Sequence, residues 1–405
     1  MKKGLVERFC RYVRIDTQSD PESLTFPSSE KQFKLANALV TELKELRIED
    51  VSVDRFCYVM AKVPSNTNRK TPKIGLIAHL DTSPSLSGEN VKPSAIENYQ
   101  GGDYIINEAL GVVLRESECP ELRNCIGHTL ITSDGTTLLG ADDKAGIAII
   151  MTAIEFLIKN PGIIHGEIRI AFTPDEEIGQ GADHFDLKKF DADFAFTVDG
   201  GFTGELNKET FSADAAMIEI AGRDIHPGTA KDVMVNSVRA MAEIIRRLPQ
   251  DMAPESTDGY QPFIHPTFAQ GEVSSSVVKL ILRDFDTAGL IVQKQILERI
   301  IDEVKVEFPK NEIRLTVSET YRNMAEELAK YPHVTDRLWN AVLKSGMQPF
   351  WKPIRGGTDG SRLTAMGLPT PNMFTGSGNH HSRAEWCSVN AMEKAVECVV
   401  NLFRE

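Results

Sequence analysis

Leu138-Leu-Gly-Ala-Asp-Asp-Lys-Ala-Gly146 runs directly into Ile147-Ala-Ile-Ile-Met-Thr-Ala-Ile-Glu-Phe-Leu-Ile158, which is apolar enough on every side to be a largely buried helix. Ahead of it lies Ile131-Thr-Ser-Asp-Gly-Thr-Thr137, rich in turn residues. Two adjacent carboxylates, Asp142 and Asp143, therefore stand where a loop becomes a core helix. Capping explains one of them, because a carboxylate accepts from free backbone N–H groups and suits the positive end of the helix dipole. The second, beside Lys144 and two glycines, points to an acid held at the mouth of a site.

Working outward, Lys73-Ile-Gly-Leu-Ile-Ala-His79 reads as a strand buried in a sheet, ending in His79-Leu-Asp81. Glu167-Ile-Arg-Ile-Ala-Phe-Thr173 delivers Pro174-Asp-Glu-Glu-Ile-Gly179, and Asp193-Phe-Ala-Phe-Thr-Val198 delivers Asp199. Strands separated by a helix at this spacing imply parallel pairing, and open α/β sheets bind ligands at the carboxyl ends of such strands. Residues 4–16 and 29–48 read as amphipathic helices, with N-cap chemistry for the second in Ser28-Ser-Glu-Lys31. Residues 51–53 and 58–63 read as strands, and 85–130 as an insertion of hairpins. From about 211 the order becomes β-α-β-β-α-β, with a strand at 213–221, one or two strands within 272–286, a strand at 312–318 and helices at 232–248 and 288–306, the signature of a ferredoxin-like α+β domain. The first style then returns: a helix at 334–345 and an apolar stretch near 369–374 would complete the first sheet, and 389–403 is a closing helix. The expected architecture is α/β: residues 1–211 and 322–405 form one discontinuous domain with a mixed, mainly parallel sheet, and 212–321 are inserted.

The totals agree. At 405 residues the chain exceeds one ordinary core. Its formal net charge of −13 argues against nucleic acid and anionic membrane as partners. There is no signal-like N-terminus, no run near the roughly 18–20 apolar residues of a membrane helix, and no C-x-x-C pair among Cys10, Cys57, Cys119, Cys125, Cys387 and Cys398. The expectation is a cytoplasmic protein with reduced thiols.

The candidate ligands are His79, Asp142, Glu177, Asp199 and a histidine in Gly378-Asn-His-His-Ser-Arg-Ala-Glu385. Mixed imidazole and carboxylate donors suit zinc, with cobalt or manganese as substitutes. One catalytic zinc needs three protein ligands, so five suggest two ions about 3.5–4 Å apart, bridged by Asp142 and a water. Asp81 would fix the His79 ring. Glu176 is left over as a general base.

His79-Leu-Asp81, Gly140-Ala-Asp-Asp-Lys-Ala-Gly146, Pro174-Asp-Glu-Glu-Ile-Gly179 and Val198-Asp-Gly200 together resemble the M20 metallopeptidase family. Ile225-His-Pro-Gly-Thr-Ala-Lys231, Arg283-Asp-Phe-Asp286 and Pro353-Ile-Arg-Gly-Gly-Thr-Asp-Gly360 add to the likeness, which spans essentially the whole chain in the family's order. The resemblance implies a zinc-peptidase-like catalytic domain and an inserted domain acting as lid and dimerisation surface. It implies two zinc ions per subunit, held by His79, Asp142, Glu177, Asp199 and His381, with Asp81 and Glu176 catalytic. His381 is favoured over His380 because the family pattern puts a Glu four residues later, here Glu385; Ser382 departs from the family's usual Gly. The implied activity is removal of the N-terminal residue from short peptides, tripeptides foremost. His226 would steady the developing oxyanion, Asn236 would hydrogen-bond substrate, and Arg283 and Arg355 would grip its carboxylate, although salt bridges or helix-surface positions would also explain the last three. An N-acyl amino-acid amidohydrolase or desuccinylase on the same metal centre is the alternative. A binding protein that has lost catalysis should lack the base, and Glu176 is present.

Overall fold

Strand Ile74–His79 is buried at every residue, as an unbroken apolar run requires when both faces of a sheet are covered. The computed structural model describes residues 2–404. It sets this strand in an eight-stranded sheet of order Asp50–Val53, Val59–Val63, Ile168–Thr173, Ile74–His79, Phe194–Val198, Asn372–Met373, Glu205–Asn207 and Phe350–Trp351. The third to sixth of these are mutually parallel, and antiparallel pairings occur on both flanks. The sheet is thus mixed with a parallel centre. His79 pairs with Thr173 and Ile77 with Thr197, so the His79, Pro174–Gly179 and Asp199 segments all leave the same edge.

Helix Ala141–Lys159 packs on that sheet between helices Lys2–Val13 and Val389–Phe403. Ile147 through Ile154 are all buried, which is why the helix shows no polar face. Its first turn is irregular: Gly140 is left-handed (φ 79°), and Asp142 and Asp143 have non-helical angles (φ −84°, ψ 104° and φ −120°, ψ 32°).

The chain divides into two compact units, Met1–Lys208 with Glu326–Lys352 and Thr358–Glu405, and Glu209–Ala325 with Pro353–Gly357. In the second, antiparallel strands run in the order Phe263–Glu272, Ser275–Asp284, Ser212–Ala221, Glu312–Tyr321. Helices Ser237–Arg246 and Thr287–Glu307 complete a β-α-β-β-α-β order. Ile218, Ile220, Ile244, Leu280, Leu297 and Ile301 form its core.

Three local expectations change. The 272–286 segment is the second half of a hairpin whose first strand, Phe263–Glu272, is an edge strand exposed over most of its length and so lacks apolar alternation. The 85–130 insertion holds one hairpin, Tyr104–Asn107 with Val112–Leu114, while Ser94–Ile96 pairs with Leu130–Thr132. Ser28 caps no helix: helix Gln32–Glu45 starts after Lys31 without a side-chain cap. The Ser28 N–H and Oγ instead donate to Asp175, at 2.7 and 2.5 Å, because a buried carboxylate is a stronger acceptor than anything near that helix end.

Candidate metal centre

Five side chains from distant segments meet at the sheet's carboxyl edge. His79, 2% exposed, points Nε2 at Asp142 Oδ1 (2.9 Å), with Asp199 Oδ1 at 3.8 Å. The other oxygen of Asp142 lies 3.2 Å from His381 Nε2, which is also 2.8 Å from Glu177 Oε2. The Asp142 carboxylate therefore lies between two imidazoles. His380 places Nε2 on Ser377 Oγ at 2.8 Å, while its Nδ1 lies 3.6 Å from Asp142 Oδ2. Donor atoms of His79, Asp142 and Glu177 fall within 4.8 Å of one another, as do those of His79, Glu176 and Asp199. By distance alone Glu176 stands as close as a ligand would.

A second set of acids lies behind these and is spent on the backbone. Asp81, fully buried, accepts from the N–H groups of Glu176 (3.0 Å) and Glu177 (3.2 Å) and lies 3.3 Å from His79 Nδ1. Asp143 accepts from His79 N–H (3.2 Å) and Gly146 N–H (3.1 Å). Position 146 must be glycine, since a Cβ there would fall 1.8 Å from Val198 O and 2.4 Å from Asp143 Oδ1. Asp175, left-handed at φ 56°, is pinned by Ser28 and by Gln32, whose Nε2 donates at 2.6 Å while its Oε1 accepts from the Asp175 N–H. Arg362 closes the loop from outside by donating to Gly179 O.

The front acids are crowded and poorly solvated. Burial, then the charge of Asp142, pushes Glu177 up to about 7. Burial, with Asp142 and Glu177 nearby, pushes Asp199 up to about 8. Burial also raises Glu176 well above the usual carboxylate range. Asp142 is buried too, but His380, His381 and His79 hold it well below that range. Hydrogen bonds to Asp142 and Glu177 raise His381 to about 11. Glu177 Oε1 is buried with no hydrogen-bond partner. Two imidazoles facing four carboxylates, one carrying an orphaned oxygen, form a donor set that fits divalent cations.

The other candidates lie in the second unit. The His226 ring, exposed, accepts from Gly228 N–H through Nδ1 at 3.1 Å. Asn236 caps helix Ser237–Arg246 by accepting from Val238 and Arg239. Arg283 donates to Leu282 O at 2.9 Å and lies over the Tyr321 ring. Arg355 donates to Gly259 O, Gln261 O and Thr257 Oγ1, each at 2.8 Å.

Two buried acids were not singled out from the sequence. Asp359, 4% exposed, keeps one oxygen unpartnered, and burial pushes it up to about 6; its signal was its place in the Pro353–Gly360 motif. Glu385 had only its spacing from His381 to mark it.

A sequence profile of peptidase family M20/M25/M40 matches residues 134–405. Peptidase T of Geobacillus thermodenitrificans is 50% identical over 404 residues, covering 100% of this chain and 98% of its own. Peptidase T of Bacillus subtilis is 48% identical over 405 residues, covering 100% and 99%. Among solved structures, the aminopeptidase PepT of Bacillus cereus superposes with a TM-score of 0.75 at 22% identity, covering 100% and 98%. A tripeptidase of Staphylococcus aureus does so at 0.77 and 20%, covering 100% and 98%. A dinuclear metal-binding M20 peptidase of B. subtilis does so at 0.65 and 14%, covering 99% and 97%. The structural likenesses show the fold.

Proposed function

The chain belongs to peptidase family M20/M25/M40, and on that premise we propose that it is a two-zinc aminopeptidase taking the N-terminal residue from tripeptides. The observation that carries this reading is Asp142, whose two oxygens face His79 and His381 from opposite sides. His79 and Asp199 would hold one cation and Glu177 and His381 the other, with Asp142 shared. Imidazole with carboxylate suits zinc, with cobalt or manganese as replacements. When bound, the cations supply Lewis-acid polarisation of the scissile carbonyl and acidify a water.

The chain's own residues do the rest. Glu176 accepts the proton of the attacking water and delivers it to the departing amine. Asp81 keeps Glu176 and Glu177 in place through their N–H groups and steadies the His79 ring. His226 steadies the oxyanion, Asn236 and Arg283 contact substrate, and Arg355 grips its terminal carboxylate from the unit built on residues 212–321, which acts as a lid and joins two copies. Two relatives near 50% identity over the full chain, both named peptidase T, support this reading of the substrate. No helix among the described residues is long and apolar enough to cross a membrane, in keeping with a cytoplasmic site of action.

The test is metal analysis and a peptide-length series on one preparation. Two divalent cations per chain and fastest turnover of free tripeptides are expected. Turnover of N-acylated amino acids in preference to tripeptides would overturn the specificity.

A further inference from the structure

Glu385 is 1% exposed, and no lysine or arginine lies within ion-pair distance of it among the described residues. Its oxygens are met by the main chain. Oε2 accepts from the N–H groups of Leu139 and Gly140, each at 2.8 Å, and Oε1 accepts from Asp142 N–H at 3.0 Å. Successive N–H groups around a left-handed residue, here Gly140, form an anion cradle. The segment that supplies Glu385 also carries His381. Glu385 N–H donates to Ser382 O at 3.3 Å, and Ser382 Oγ donates to Asn379 O at 2.7 Å. Between them His381 is left-handed at φ 59°, with Nε2 3.2 Å from Asp142 Oδ2. Two stretches more than two hundred residues apart, already paired as strands at Leu130–Thr132 and Trp386–Ser388, are thus fastened again by one buried carboxylate, immediately beside the pair of side chains that must share a cation.

Ordinary helix capping accounts for an acceptor at these N–H groups, but a serine or aspartate already in the loop would serve it. The acceptor comes instead from the turn that presents His381, and one of its three bonds goes to the backbone of Asp142 itself. We infer that Glu385 is a positioning residue, fixing the main chain at Asp142 and its distance from His381 so that both halves of the metal centre keep their spacing. It rests on the dinuclear reading above. Glu385 meets neither cation nor substrate; it acts through Asp142.

The experiment is zinc titration of metal-free wild type, Glu385→Ala and Glu385→Gln in competition with a chelator, alongside thermal melts of the same metal-free samples. Wild type should take two equivalents. In E385A both affinities should fall together, by about 10- to 100-fold as for other groups that orient a ligand, because the disturbed carboxylate is common to both sites. E385Q keeps a carbonyl for Leu139 and Gly140 but sets an amide N–H₂ against the Asp142 N–H, so both affinities should fall less. In zinc-saturated E385Q, KM for a tripeptide should stay at the wild-type value. Lower melting midpoints with both affinities unchanged would make Glu385 a cap alone and overturn the inference, as would weakening at one site only. Should E385A fail to fold, the two affinities of E385Q decide. Wild type binding fewer than two zinc ions would bring down the dinuclear reading and this inference with it.

Discussion

Asp142 and Asp143 are neighbours in the chain and opposites in the fold. Asp143 gives its oxygens to the N–H groups of His79 and Gly146, whereas Asp142 turns both of its own toward imidazole rings. The same division separates two layers of the site. The rear acids, Asp81, Asp143, Asp175 and Glu385, are supplied with backbone or side-chain donors and tie the loops to the sheet. The front acids, Asp142, Glu176, Glu177 and Asp199, crowd within a few ångströms of one another with two histidines, and one oxygen of Glu177 has no partner at all. Charge that the protein neutralises for itself is framework; charge it leaves unmet awaits something from outside.

The sharpest probe of that division is Glu176, which lies in the front layer without being assigned a cation. Glu176→Gln should lower kcat by about 10²- to 10⁴-fold while metal analysis still finds both ions. Loss of an ion would move Glu176 among the ligands. Next come the adjacent aspartates. Asp142→Asn should abolish tight binding of both cations in a titration. Asp143→Asn should keep both and lose roughly 1–3 kcal/mol of unfolding free energy, the cost of disturbing a buried acceptor. Equal metal loss in the two variants would erase the distinction between layers.

Burial of the acids also sets what pH does to the metal-free protein. Glu177 and Asp199 are raised from ordinary values of 4.5 and 3.8 to about 7 and about 8, so between pH 5 and 7 the folded state holds protons that the unfolded chain has released. Stability must then fall as pH rises, by roughly 1.4 kcal/mol per pH unit for each retained proton. His381, raised to about 11, acts in the same direction above its ordinary 6.5. Thermal melts should show the metal-free protein weakening from pH 5 to 8, and saturating zinc should remove the slope, since bound carboxylates are already deprotonated. A flat profile without metal would mean that the front acids are better solvated than their burial suggests. The smallest effect concerns the other unit. Arg355→Ala gives up three hydrogen bonds, so it should lower the melting midpoint modestly, and by the proposed role it should also raise KM for tripeptides. An unchanged KM would leave Arg355 a structural residue.

How far the sequence carried these distinctions depends on what positions each group. Strands 74–79, 168–173 and 194–198 were legible because each is a short apolar run ending in polar residues, and parallel pairing then brings their ends to one edge. The β-α-β-β-α-β order was legible for the same reason, apart from the edge strand Phe263–Glu272. What the rear acids Asp143, Asp175 and Glu385 hold was not. That is set by loop dihedrals, such as the non-helical angles at Asp142 and Asp143 and the left-handed His381, and by partners far off in sequence. Ser28 shows the limit plainly: its neighbours spell a helix cap, and Asp175, 147 residues away, outbids them. Two-residue strands such as Phe350–Trp351 carry no periodicity to read at all.

Anomalous scattering from crystals grown with zinc would test the division between layers most directly. Two peaks are expected, with the Asp142 carboxylate ligating both ions and Asp143, Glu176 and Glu385 ligating neither. A single peak, or an ion held by one of those three, would contradict the account.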